Sequence, residues 1–185
     1  MLGGKPVIQR VYEQVNGILD DACVATDDER IEAAVKAFGG KVVMTSTEHK
    51  SGTDRVQEAF EKVGAGYDVV VNLQGDEPCI RPSQLEAVKA CFEDERTQIA
   101  TLVKPFTEAD GWEALHNPNS PKVVVDGQMN ALYFSRSVIP YMRGVDKEEW
   151  LKRHTYYKHI GLYAYRAEVL REITRLPQSS RELAV

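Results

Sequence analysis

Tyr67-Asp68-Val69-Val70-Val71-Asn72-Leu73-Gln74-Gly75-Asp76-Glu77-Pro78 is the stretch on which the fold turns. Tyr67 to Gln74 is the most continuous apolar strand in the chain, the pattern of a strand covered on both faces of a sheet. It leads directly into Gly75-Asp76-Glu77-Pro78, so a buried strand delivers a carboxylate at its carboxyl end. Ligands of open α/β sheets collect at that edge, where helix N-termini and adjustable loops converge. Upstream, Pro6 opens a helix on which Val7, Ile8, Val11, Tyr12, Val15, Ile18 and Leu19 recur at helical spacing. Ala22 to Thr26 reads as a strand, and Thr26-Asp27-Asp28 caps a second helix with an apolar face of Ile31, Ala34, Val35 and Phe38, ended by Gly39-Gly40. Lys41 to Ser46 is the next strand, followed by a polar loop and a helix beginning near Thr53. Downstream, Pro82 and Ser83 with Glu86 open a fourth helix in capping-box style, with a stripe of Leu85, Val88 and Phe92.

Beyond Gln98 the pattern shifts toward strands at Ile99 to Val103, Val123 to Val125, Ala131 to Phe134 and Ile160 to Tyr165, with helices around 107–115 and 167–175. The charged stretch from Arg143 to Lys158 reads as an exposed excursion over a partner subunit or a ligand. Alternating strands and helices make this an α/β layered domain.

The 185 residues hold 23 basic and 28 acidic side chains, a formal charge of −5, with 43% apolar content. A single domain of that length buries about 70% of its unfolded surface and needs neither disulfides nor metal to hold a core. A mildly acidic chain without a dense basic block is a poor partner for nucleic acid or an anionic membrane. Cys23, Cys79 and Cys91 are odd in number and widely spaced, which argues for a reducing compartment rather than a disulfide framework. No apolar run approaches a membrane span or a signal peptide, so no membrane insertion and a cytoplasmic location are expected.

Two segments carry the chemistry. Asp76 could hold Mg²⁺ on a polyphosphate, since that ion takes one or two protein carboxylates and completes its octahedron with phosphate oxygens and water; equally, Asp76 or Glu77 could merely close a turn before Pro78. His49-Lys50-Ser51-Gly52-Thr53-Asp54-Arg55 feeds a helix N-terminus, where free N–H groups favour an anion. Thr53 as N-cap explains part of that pattern, while Lys50 and Arg55 add donors that capping does not require. Arg136, ending Ala131-Leu132-Tyr133-Phe134-Ser135, could pair with a substrate carboxylate or be an ordinary surface arginine. His154 and His159 are five apart, not the spacing of a zinc-binding helix. Gly3-Gly4-Lys5-Pro6 lacks the phosphate-loop spacing and reads as a helix entry.

The chain resembles the 3-deoxy-manno-octulosonate (Kdo) cytidylyltransferase family, the CMP-Kdo synthetases of the nucleotide-sugar transferase superfamily. Six segments carry the resemblance in order: Val24-Ala25-Thr26-Asp27, the loop from His49 to Arg55, Gln74-Gly75-Asp76-Glu77-Pro78, Asn117-Pro118-Asn119-Ser120-Pro121-Lys122-Val123-Val124, Ala131 to Arg136, and His159-Ile160-Gly161-Leu162-Tyr163. The resemblance implies a Rossmann-like three-layer nucleotide-diphospho-sugar transferase fold with a mixed, mainly parallel sheet. It also implies transfer of CMP from CTP to the anomeric hydroxyl of Kdo, with release of pyrophosphate, for lipopolysaccharide synthesis. Asp76 then inherits the Mg²⁺ site and catalytic role, and Ser51, Gly52, Thr53 and Arg55 the nucleotide. Gln74, Arg136, His159, Tyr163 and Gln178 inherit the sugar. Residues 1–185 are expected to form one nucleotidyltransferase domain, with roughly 120–170 its dimerisation and sugar-binding part and a homodimer as the assembly. The family's first strand, its phosphate-wrapping loop and its second metal-binding aspartate have no counterpart here, so an incomplete, catalytically impaired fragment is one alternative expectation. A sialic-acid type cytidylyltransferase is the other.

Overall fold

The computed structural model describes residues 1–64 and 66–177. The chain divides into two compact units, one built from residues 1–100 and the segment from Leu162 onward, the other from Thr101–Gly161.

In the first unit, β1 (Val24–Thr26), α2 (Glu29–Ala37) and β2 (Val42–Met44) form a βαβ unit, with β1 and β2 parallel and Val24 opposite Val42. Asp28 caps α2 by accepting from the Arg30 N–H, and Val35 is wholly buried beneath the helix. α3 (Gly52–Val63) packs against β1, β2 and β3 (Val69–Asn72), ending at Gly64 in the left-handed conformation. β3 pairs antiparallel with the second half of β7 (Tyr157–Arg166), Asn72 lying opposite Tyr163. α1 (Val7–Val15) packs on α4 (Pro82–Ala90), and α7 (Ala167–Ile173) packs on α3 and β3. Lys5 is bound to Glu13 of α1, as befits a helix entry.

In the second unit, β5 (Lys122–Val125) and β6 (Ala131–Ser135) form a hairpin. Its turn is tied by Asp126, whose carboxylate accepts from the N–H groups of Gln128 and Asn130. β5 also pairs antiparallel with the start of β7 through Lys122–Lys158 and Val123–Tyr157. The core of this unit is Phe106, Leu115, Trp150 and Tyr156. α5 (Gly111–His116) supplies Leu115, and α6 (Trp150–Arg153) supplies Trp150. β4 (Ile99–Pro105) leads into the unit, and β7 leads out of it.

Several expectations are corrected by these elements. Among the described residues parallel and antiparallel pairings both occur, but not in one mainly parallel sheet: β1 and β2 form a parallel pair of their own, while β3–β7, β5–β6 and β5–β7 are antiparallel. Connection length decides this: a helical crossover joins β1 to β2, whereas β5 and β6 are joined by a tight turn that permits only antiparallel pairing. The second compact unit, Thr101–Gly161, overlaps the 120–170 part expected to bind sugar and dimerise. The Arg143–Lys158 excursion is not simply exposed. Its charged residues flank Trp150 and Tyr156, which are 2% and 1% exposed. Ser51, not Thr53, is the N-cap of α3, and at α4 it is Gln84, not Glu86, whose side chain accepts the N-cap N–H, from Arg81.

Candidate active site

Three elements of the first unit converge where the sequence placed its nucleotide and metal candidates. Gln74 O accepts from the Glu77 N–H at 3.2 Å, so Gln74 to Glu77 is a turn with Asp76 on its bend, directly after β3. Asp76 is exposed and has no hydrogen bond or ion pair among the described residues. Gly75 packs close to α1: a Cβ there would lie 3.2 Å from Ile8 Cδ1, so that side chain would have to give by a few tenths of an ångström. An unengaged carboxylate on such a turn fits a hard cation that draws its remaining ligands from phosphate oxygens and water. Among the described residues no set of three or more potential ligands forms a closed metal cage.

At the N-terminus of α3, Ser51 Oγ accepts from the Asp54 N–H at 3.1 Å and donates to Asp54 Oδ2 at 2.7 Å. Ser51 is therefore committed to capping. A Cβ on Gly52 would stand 3.9 Å from Asn72 Nδ2, which brings the helix start beside the end of β3. Thr53 lies near the Tyr165 hydroxyl of β7; burial raises the pKa of that phenol and Thr53 lowers it in part. Tyr163, two residues earlier on the same face, stacks on Tyr165 with centroids 6.1 Å apart; burial, then Tyr165, raises its pKa as well.

Arg55 is engaged inside the protein. Its Nη2 donates to Asp27 Oδ2 at 2.7 Å, and its Nη1 donates to Thr45 Oγ1 at 2.6 Å and to Ser46 O at 3.4 Å. The guanidinium thus stitches together the carboxyl ends of β1 and β2, which the Thr45 N–H to Thr26 O bond also joins. His49 contacts Glu58, whose carboxylate is held at about 2 by Lys62 first, then by the Ser46 N–H and His49.

The second unit holds the other sugar candidates, Arg136 and His159. His159 Nε2 lies 2.9 Å from Thr101 Oγ1, its ring meets Phe134 edge-on at 5.1 Å, and burial lowers its pKa. Its N–H donates to Pro121 O at 2.8 Å. Arg136 is exposed, donates to Pro118 O at 3.1 Å through Nη1, and has no acidic partner among the described residues. Gln178 lies outside the described residues. Sequence reasoning assigned no role in the site to Asn72 and Tyr165. Asn72 was detectable as the polar residue interrupting Val69 to Leu73; Tyr165 was not, because only the pairing of β7 with β3 brings it to Thr53.

A βαβ unit with polar groups gathered at the carboxyl ends of its strands, and a bare carboxylate on the loop after β3, is the arrangement in which open α/β domains take up ligands. Two solved structures share this fold at low identity. They are a 4-diphosphocytidyl-2C-methyl-D-erythritol synthase from Anaerococcus prevotii (TM-score 0.53, 11% identity, 99% of this chain and 74% of that one) and a putative glucose-1-phosphate thymidylyltransferase from Bacillus anthracis (TM-score 0.55, 17%, 96% and 65%). The chain belongs to the cytidylyltransferase family, whose profile matches residues 1–185. The 3-deoxy-manno-octulosonate cytidylyltransferase of Phocaeicola vulgatus is 79% identical over all of this chain and 73% of that protein. The Escherichia coli protein of the same name is 47% identical over 98% of this chain and 70% of its own length. A solved CMP:2-keto-3-deoxy-manno-octonic acid synthetase complexed with CTP superimposes with a TM-score of 0.85 at 45% identity, covering 98% of this chain and 72% of that one.

Proposed function

We propose that the chain transfers a cytidylyl group from CTP to the anomeric hydroxyl of Kdo. The observation that carries this reading is Asp76, an exposed carboxylate without a partner among the described residues, at the strand end of a chain 79% identical to a Kdo cytidylyltransferase. In the reaction the sugar oxygen attacks the α-phosphorus, a new P–O bond forms, the bond to the β-phosphate breaks, and pyrophosphate leaves as the hydroxyl loses its proton. Asp76 would hold Mg²⁺, which when bound supplies positive charge against the transferring phosphoryl group. Gly52 and Thr53, beside Asn72 and Tyr165, serve the nucleotide. Arg55 acts by fixing the strand ends beneath them. Arg136 and His159 of the second unit serve the sugar acid. Catalysis of this kind rests on alignment and electrostatic stabilisation.

The test is pyrophosphate release with CTP, Mg²⁺ and Kdo. Release should require all three, and Asp76→Asn should lower it by about a hundredfold or more, the scale of losing a principal electrostatic group. Release independent of Kdo, or equally fast with a sialic acid, refutes the assignment.

A second copy of the chain is the proposed partner. β6 exposes Leu132, Tyr133 and Phe134 at 64%, 60% and 42%, on both faces of a strand whose described pairing is with β5 alone. Apolar edge strands of this kind invite pairing unless covered. Sedimentation equilibrium should give twice the chain mass, and a monomer at micromolar concentration overturns the proposal. No helix among the described residues is long and apolar enough to cross a membrane. That, with free Cys23, Cys79 and Cys91, supports a cytoplasmic enzyme supplying activated Kdo for lipopolysaccharide.

A further inference from the structure

Lys122 is 0% exposed, yet no carboxylate pairs with it among the described residues. Its Nζ donates to two backbone carbonyls, Asn117 O and Arg136 O, each at 2.9 Å. A buried ammonium is costly, and an apolar side chain of similar volume would fill such a place at less expense in solvation. Burial accordingly lowers the lysine's pKa. What the lysine does, and an apolar residue cannot, is join the start of the Asn117–Pro121 loop to the backbone of Arg136.

That loop is the common support of both sugar candidates in this unit. Arg136 Nη1 donates to Pro118 O, and the His159 N–H donates to Pro121 O. Arg136 is thereby held twice, by its carbonyl through Lys122 and by its guanidinium through Pro118. One of its five N–H donors is used at Pro118, leaving enough for a planar two-point bond to a carboxylate. Such a bond depends on angle as well as charge, so it is lost when the arginine backbone is free to shift.

The geometry points to Lys122 as a positioning residue that fixes Arg136 for the carboxylate of the sugar acid. This rests on the reading of Arg136 as the partner of that carboxylate. Lys122 touches no substrate itself and acts through Arg136.

The test is equilibrium binding of labelled Kdo, and separately of CTP with Mg²⁺, to the full chain and to Lys122→Met, Arg136→Ala and the double variant. Lys122→Met should weaken Kdo binding about tenfold, Arg136→Ala at least as much, and both should leave CTP binding within about twofold, because neither residue is assigned to the nucleotide. Residues acting through one contact are not additive, so the double variant should bind Kdo no more weakly than Arg136→Ala. If Lys122→Met does not fold, Pro118→Gly loosens the same support and should weaken Kdo binding selectively. No Kdo binding by the unaltered chain, or unchanged binding by Arg136→Ala, overturns the Arg136 reading and this proposal with it. Weak binding by Arg136→Ala with unchanged binding by Lys122→Met, or by Pro118→Gly in its place, overturns the role of Lys122 alone. Additive losses in the double variant, or an equal loss of CTP binding, also overturn it.

Discussion

Replacing Arg55 with alanine separates a clamp from a nucleotide ligand. Arg55 makes one charge-assisted bond to Asp27, one bond to the buried Thr45 hydroxyl, and a long one to Ser46 O. The Arg55 and Asp27 side chains are 22% and 35% exposed, so solvent screening limits the ion pair to about 0.5–1 kcal/mol. Losing the donor to Thr45 adds about 1–1.5 kcal/mol, because that hydroxyl is left without its partner in a buried place. The 3.4 Å bond adds little. The sum is about 2 kcal/mol, which for a chain of this size lowers the midpoint of thermal unfolding by about 4–8 °C. Asp27→Ala should show the ion-pair part alone, and the double variant should reveal a coupling of about 0.5–1 kcal/mol. Both tryptophans, Trp112 and Trp150, lie in the second unit, so their fluorescence monitors that unit while far-ultraviolet circular dichroism follows the whole chain. An Arg55→Ala protein with an unchanged melting midpoint and no affinity for CTP would show that Arg55 is a direct ligand and sink the clamp.

Two more outcomes follow from the geometry. The Glu58 carboxylate is lowered from its ordinary 4.5 to about 2 by Lys62 first and then by the Ser46 N–H and His49. Its stabilising contribution is therefore present above about pH 4.5 and lost as pH falls toward 2. Urea midpoints across that window should fall less steeply for Glu58→Gln, and an equally steep fall rules out this carboxylate as a source. Trp150→Ala should cost the second unit about 3–5 kcal/mol, since the ring is 2% exposed, bonds Val145 O and meets Trp112 edge-on; near-ultraviolet dichroism that keeps its sharp aromatic bands would contradict that role.

The elements most legible in the sequence are those with local causes. Pro6, Asp28 and the Gly39-Gly40 pair act within one helical turn, so α1 and α2 could be read where they stand, although α1 stops at Val15 rather than Leu19. The Val69–Asn72 strand and its Gly75-Asp76 turn were equally readable, because burial on both faces writes itself into consecutive apolar residues. The stretch from Arg143 to Lys158 misled, since its charges outnumber its core residues and helical spacing there lasts barely one turn. Arg55 was legible only in part: a basic residue at a helix start suits a phosphate, and only the return of β1 and β2 to one edge also offers it Asp27 and Thr45.

By itself, then, the sequence determined the α/β alternation, the strand that presents Asp76, and the family, because periodicity, caps and ordered motifs are local properties of the chain. Tertiary structure alone decided the pairing of β3 and of β5 with β7, the approach of Thr53 to Tyr165, the engagement of Arg55 by Asp27 and Thr45, and the burial of Lys122 against Arg136 O. Each of these joins residues at least ten positions apart, and no local rule of spacing encodes which backbone carbonyl or carboxylate a long side chain will meet once the sheet has formed.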